Sequence, residues 1–95
     1  MGGNFIVHTS KNFDKEVRRL VKGFRDLTGM YRGALQILSQ DQHNTLKKYR
    51  IKKLTGIDKD EGQWRIRIGN YRIRYDITGK QVTLYSINHR KDAYR

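Results

Sequence analysis

Arg65, Arg67, Arg72 and Arg74 are the residues of this chain best suited to chemistry, because they flank a Gly69-Asn70 pair at a spacing that puts all four together. A two-residue Gly-Asn connection between runs rich in Ile and Tyr is a strong hairpin signal. It sets Ile68 opposite Tyr71, Ile66 opposite Ile73 and Trp64 opposite Tyr75, an apolar face on which Trp64, Tyr71 and Tyr75 read as core. Strand alternation then places Arg67 opposite Arg72 and Arg65 opposite Arg74 on the other face. Like charges directly across a strand pair oppose folding by roughly 0.2–1 kcal/mol each. A single pair of basic residues would read as solvated surface; two adjacent pairs read as a place where a polyanion is expected. Guanidinium forks bind phosphate in two-pronged fashion, and aromatic rings offer stacking platforms for unpaired bases.

The elements that would position these groups follow from the pattern around them. Residues 4–9 alternate as a short first strand, and Ser10 has the chemistry of an N-cap. Phe13, Val17, Leu20, Val21 and Phe24 form one helical stripe, and Met30, Tyr31, Ala34, Leu35 and Leu38 form a second. Gly23 and the Thr28-Gly29 pair interrupt them, so two antiparallel helices turning within 24–29 are expected. Residues 41–45 are a polar connection, residues 47–56 are basic with a short extended piece, and residues 57–62 are an acidic loop. After the hairpin, Gly79-Lys80 turns the chain into a last strand over 81–88, and residues 89–95 form at most a helical turn. The expected class is α+β: an N-terminal strand, a two-helix hairpin, then an antiparallel meander of three or four strands with the helices packed on one face. If Gly79-Lys80 is a two-residue turn, Arg74 faces Tyr85 and Arg72 faces Ile87 on the open side, with His89 in the same phase as Tyr85.

The 95 residues provide for one domain with one modest core. The net charge is +12. Counted along the sequence, residues 1–46 hold seven basic and four acidic groups, net +3, and residues 47–95 hold fourteen and five, net +9. The polyanion surface therefore belongs to the second half. There is no cysteine, which rules out disulfides and thiolate metal sites and suits a reducing compartment. No apolar run approaches a membrane span, and the first ten residues lack the pattern of a signal peptide, so the chain is read as cytoplasmic. His8 and His43 have no partner at ligand or triad spacing and read as surface residues.

Three stretches, Leu54-Thr-Gly56, Trp64-Arg-Ile-Arg-Ile-Gly-Asn-Tyr-Arg-Ile-Arg-Tyr75 and His89-Arg-Lys-Asp-Ala-Tyr94, resemble the C-terminal signature of the RelE/ParE superfamily of bacterial and archaeal toxins. The resemblance covers residues 46–95 by motif and the N-terminal half by pattern. It implies a single RelE-like domain over 1–95. It also implies the toxin of a type II toxin–antitoxin pair, a ribosome-dependent endoribonuclease that cleaves mRNA in the A site and is neutralised by an acidic antitoxin. Carried over, the implied catalytic residues are Arg65, Arg67, Arg72, Arg90 and Tyr94. Lys52, Lys53, Arg74, Tyr85, His89 and Lys91 are the accompanying RNA-binding residues. The implied reaction uses no metal and no cofactor: the substrate's 2′-hydroxyl attacks the adjacent phosphate, leaving a 2′,3′-cyclic phosphate and a 5′-hydroxyl. Some relatives carry lysine where Arg65 or Arg67 stands, and arginine cannot deprotonate to act as a base. The general base stays open between His89 and Tyr94. The competing readings are a ParE-like, non-enzymatic inhibitor of DNA gyrase and a nucleic-acid-binding relative without activity.

Overall fold

Ser10 is where the alternating pattern of the N-terminal segment gives way to helical period. Its Oγ accepts from the Phe13 backbone N–H at 3.0 Å, satisfying one of the donors that a helix start leaves unpaired. The structure is a computed structural model and describes residues 6–41, 50–58 and 61–90. Strand β1 (Ile6–Thr9) leads into helices α1 (Lys11–Val21) and α2 (Leu27–Asp41), followed by strands β2 (Arg50–Lys53), β3 (Trp64–Ile68), β4 (Tyr71–Thr78) and β5 (Gln81–His89). The helices turn over residues 22–26, earlier than expected: Gly23 lies in the turn, whereas Thr28 and Gly29 belong to the first turn of α2 and do not interrupt it. One sheet runs in the order β1-β5-β4-β3-β2, with β1 parallel to β5 and the rest an antiparallel meander. This is the α+β arrangement expected, with four strands in the meander and the first strand added beside the last.

The core lies between one face of the sheet and the helices. Ile66, Tyr71, Ile73, Tyr75, Val82, Leu84 and Ile87 meet Phe13 and Leu20 of α1 and Leu27, Ala34 and Leu38 of α2, all of them buried. Each large member stabilises the fold by about 1.5–3 kcal/mol relative to an exposed position. Val21 departs from the expected stripe: at the last turn of α1 it is 44% exposed. Gly69 carries the left-handed backbone (φ 56°) that the hairpin turn requires, and a Cβ there would meet the Met30 sulfur at 3.0 Å. The hairpin tip is thus seated against the start of α2.

One feature of β5 breaks simple alternation. Tyr75 pairs with Leu84, but Arg74 pairs with Ser86, so Tyr85 is the extra residue of a β-bulge. Side chains from the first turns of α1 satisfy the backbone groups this displaces. The Tyr85 carbonyl accepts from Ser10 Oγ (3.3 Å) and Asn12 Nδ2 (3.2 Å), and the Ile87 N–H donates to Glu16 Oε1 (3.3 Å). After the bulge, Ile87 faces Ile73 and His89 faces Tyr71. The expectation that Ile87 opposes Arg72 on the open side is corrected: Asn88 takes that place, and Ile87 is core.

At the C-terminal end of β5, His89 is 5% exposed and stacks on Phe24, with ring centroids 3.8 Å apart. It also meets Tyr71 edge-on at 4.9 Å. The Tyr71 hydroxyl donates to Asp26 Oδ1 at 2.6 Å. Burial, then that hydrogen bond and the Asp26 charge, push the Tyr71 phenol well above its ordinary range. A phenol whose folded pKa is raised stabilises the protein fully below its unfolded pKa, about 10, and loses that stabilisation as pH rises toward the folded value. Urea unfolding of Tyr71→Phe should therefore show a stability loss of about 1 kcal/mol near neutral pH from the missing hydrogen bond. Above about pH 10 its alkaline decline should be shallower than wild type by about 1.4 kcal/mol per pH unit. Parallel curves would place the titration elsewhere.

Candidate nucleic-acid interface

The hairpin register is the one the sequence demands, with Arg65 opposite Arg74 and Arg67 opposite Arg72. Strand β2 widens the face. Arg50 pairs with Arg67 and Lys52 pairs with Arg65, so two cationic rows cross the sheet: Arg50, Arg67 and Arg72, then Lys52, Arg65 and Arg74. The first row runs beside the hairpin turn, where Arg90 N–H donates to the Asn70 carbonyl at 2.7 Å. Arg50, Arg67, Arg72 and Arg90 line a cavity of about 230 Å³ together with Gly69 and Asn70. Nothing acidic lines it among the described residues.

Arg65 is half-buried at the centre of the second row. Its Nε is shielded from solvent and has no hydrogen-bond partner among the described residues. Burial, and then the charges of Arg67 and Arg72, lower its pKa from the usual arginine value, although it stays charged at neutral pH. A cation in that condition gains from an incoming anion.

Beyond the second row the face changes sign. Asp76, 3% exposed, follows Arg74 by two residues on β4 and accepts from the Gly62 N–H (3.1 Å) and the Gln63 N–H (2.7 Å). Arg74 Nε donates to the Gly62 carbonyl at 3.1 Å. Gly62 is left-handed (φ 82°), and a Cβ there would lie 2.8 Å from Arg74 Cβ. The end of the acidic loop, at Gly62 and Gln63, is therefore clamped at this end of β4 by one carboxylate and one guanidinium. Replacing Asp76 with alanine should leave two donors without their acceptor and cost about 2–4 kcal/mol of stability in denaturant titrations.

The structure divides the expected site residues. Arg65, Arg67, Arg72, Arg74 and Lys52 share the open face, and Arg90 joins them at the turn. Tyr85, as the bulge residue, is set with Ser86 against Arg74. Lys53 is corrected: it lies opposite Trp64 on the apolar side, its Nζ 5.8 Å from the indole ring. His89 is also corrected, since the bulge carries it to the core side and away from the arginines. Lys91 and Tyr94 lie outside the described residues. Arg50 was missed, although a signal existed: in Arg50-Ile51-Lys52, the apolar Ile51 belongs to the core face, so its neighbours belong together on the other.

Residues 7–94 match the family described as ParE toxin of type II toxin–antitoxin systems, parDE. The chain belongs to the RelE/ParE toxin superfamily. This RelE/ParE toxin is 28% identical over 81 residues to Toxin RelE3 of Methanocaldococcus jannaschii, a match spanning 81% of this chain and 89% of the relative. Its fold matches the toxin–antitoxin complex RelBE2 of Mycobacterium tuberculosis with a TM-score of 0.72, at 21% identity over 95% of each chain. It also matches the archaeal RelE–RelB complex of Pyrococcus horikoshii OT3 with a TM-score of 0.68, at 20% identity over 93% of this chain and 97% of that one. No helix among the described residues is long and apolar enough to cross a membrane.

The toxin's arginine pairs should leave a thermodynamic mark. Replacing Arg67 with glutamine should stabilise the unliganded protein by about 0.4–2 kcal/mol at low salt, because it relieves two cross-strand repulsions, with Arg50 and with Arg72. The gain should shrink as ionic strength rises. Thermal unfolding across a salt series measures both effects.

Proposed function

We propose that this toxin is a metal-independent endoribonuclease of the RelE type, cutting mRNA in the ribosomal A site. The observation that carries the reading is the convergence of Arg50, Arg67, Arg72 and Arg90 around one small cavity at the hairpin turn. Attack by the substrate's 2′-hydroxyl forms a new P–O bond, breaks the bond to the 5′-oxygen and passes through a phosphorane with an extra negative charge. Guanidinium groups fixed on a rigid sheet stabilise that charge without having to reorganise. His89 is directed into the core, so Tyr94 becomes the chain's candidate for proton transfer, and Arg90 remains a charge stabiliser.

The partner proposed for the toxin is an acidic antitoxin, in keeping with the net charge of +12 and with the RelB-bound state of the relatives. The compartment proposed is the cytoplasm, where translating ribosomes are found. The second reading is a ParE-like inhibitor of DNA gyrase that cuts nothing. It draws on the description of the matched family and on the displacement of His89 from the cationic face.

Inducing the toxin in a bacterial reporter strain and mapping mRNA 5′ ends separates the two. Cleavage within translated codons is expected; intact mRNA accompanied by DNA-damage signalling would replace this reading with the second. Arg72→Ala should lower cleavage by about 10²–10³ while its far-UV circular dichroism stays that of the wild type. Retention of full cleavage would remove the phosphate from this cavity.

A further inference from the structure

We propose that the open face holds two successive phosphates of one single strand, in two separate subsites: Arg50 with Arg67 and Arg72, and Lys52 with Arg65. This rests on the nucleic-acid reading above and adds to it a substrate length, a direction and a role for Arg50. The two rows are set by register: Arg50–Arg67–Arg72 lies across three strands, and Lys52–Arg65–Arg74 lies across the same three one pleat further on. Two residues of strand rise separate the rows by about 6.7 Å, the reach of one extended sugar–phosphate unit. A strand with one phosphate in each row runs along β3 rather than across it.

Both ends of this track are closed. At one end stands the hairpin turn, with Arg90 hydrogen-bonded to Asn70. At the other, Asp76 and the loop it holds replace the cations, and Arg74 Nε is already committed to the Gly62 carbonyl. The second subsite therefore depends on Lys52 and Arg65, whose Nε has no hydrogen-bond partner among the described residues. Among the described residues the track holds two cationic rows and no third.

The test uses the full-length protein, ¹⁵N-labelled, titrated with 2′-O-methyl oligonucleotides that cannot be cleaved: a dinucleotide with one phosphate and a trinucleotide with two. The trinucleotide should bind about tenfold more tightly, as expected for one added charge-assisted contact. Its affinity should fall more steeply with salt, by about 0.7 in the log–log slope. The Arg65 Nε–H resonance should move with the trinucleotide and not with the dinucleotide. Arg65→Ala should weaken the trinucleotide about tenfold, erasing its advantage, with a smaller loss for the dinucleotide, whereas Arg50→Ala should weaken both lengths about equally. Should Arg65→Ala fail to fold, the wild-type comparison decides alone, because equal affinity for the two lengths overturns the proposal. Equal weakening of both lengths by Arg65→Ala would make the arginines one undivided site and overturn it too, with the nucleic-acid reading intact. Binding of neither oligonucleotide would bring down that reading together with this one.

Discussion

The β3–β4 hairpin is a two-faced object, and the rest of the structure depends on the balance between its faces. On one side two pairs of arginines repel across the ladder; on the other Ile66, Ile73, Tyr71 and Tyr75 are buried against the helices. Each repulsive pair is worth some tenths of a kcal/mol to about one, and each large buried side chain about 1.5–3 kcal/mol. The apolar side wins by a wide margin, so the cations are held in register by packing that happens on the far side of the sheet. The helices serve the site from the far side of the sheet, with Met30 of α2 set against Gly69 at the hairpin tip. Tyr71 is the shared member: its ring belongs to the core, its hydroxyl donates to Asp26, and it borders the cationic cavity.

Much of this was legible in the residues, and the exceptions share a cause. Gly69-Asn70 specifies the hairpin register through local turn chemistry, Ser10 announces its cap, and the helical stripes show where the chain turns back. These are short-range effects, and short-range effects leave short-range signals. The bulge at Tyr85 does not, because what stabilises it is Ser10, Asn12 and Glu16, more than 70 positions away in sequence, and no glycine marks the strand. Misplacing that one residue carried His89 to the wrong face. Arg50 and Lys53 exchanged roles for a smaller reason: a four-residue strand offers one apolar residue, Ile51, from which to read its phase.

Asp76 shows how a basic face acquires an edge. A carboxylate among arginines reads most simply as a salt-bridge partner, yet its oxygens are taken by the backbone of Gly62 and Gln63. It shapes the charge pattern by anchoring a loop rather than by neutralising a neighbour. Arg74 does the complementary task from the cationic side. The face that remains is rich in groups that stabilise developing negative charge and poor in groups that move protons, an imbalance that sets the chemical character of the proposed site.

The bulge in β5 also has a meaning for how the chain can change. At exposed loop tips, insertions and deletions are ordinarily absorbed without consequence. Here the strand carries an odd residue, Tyr85, and losing it would leave Leu84, Ser86 and Ile87 in regular alternation opposite Tyr75, Arg74 and Ile73, with Ile87 and the His89 ring still on the core side. The last strand can therefore lose its extra residue with its phase intact, whereas one further residue in the same place would turn Ile87 outward.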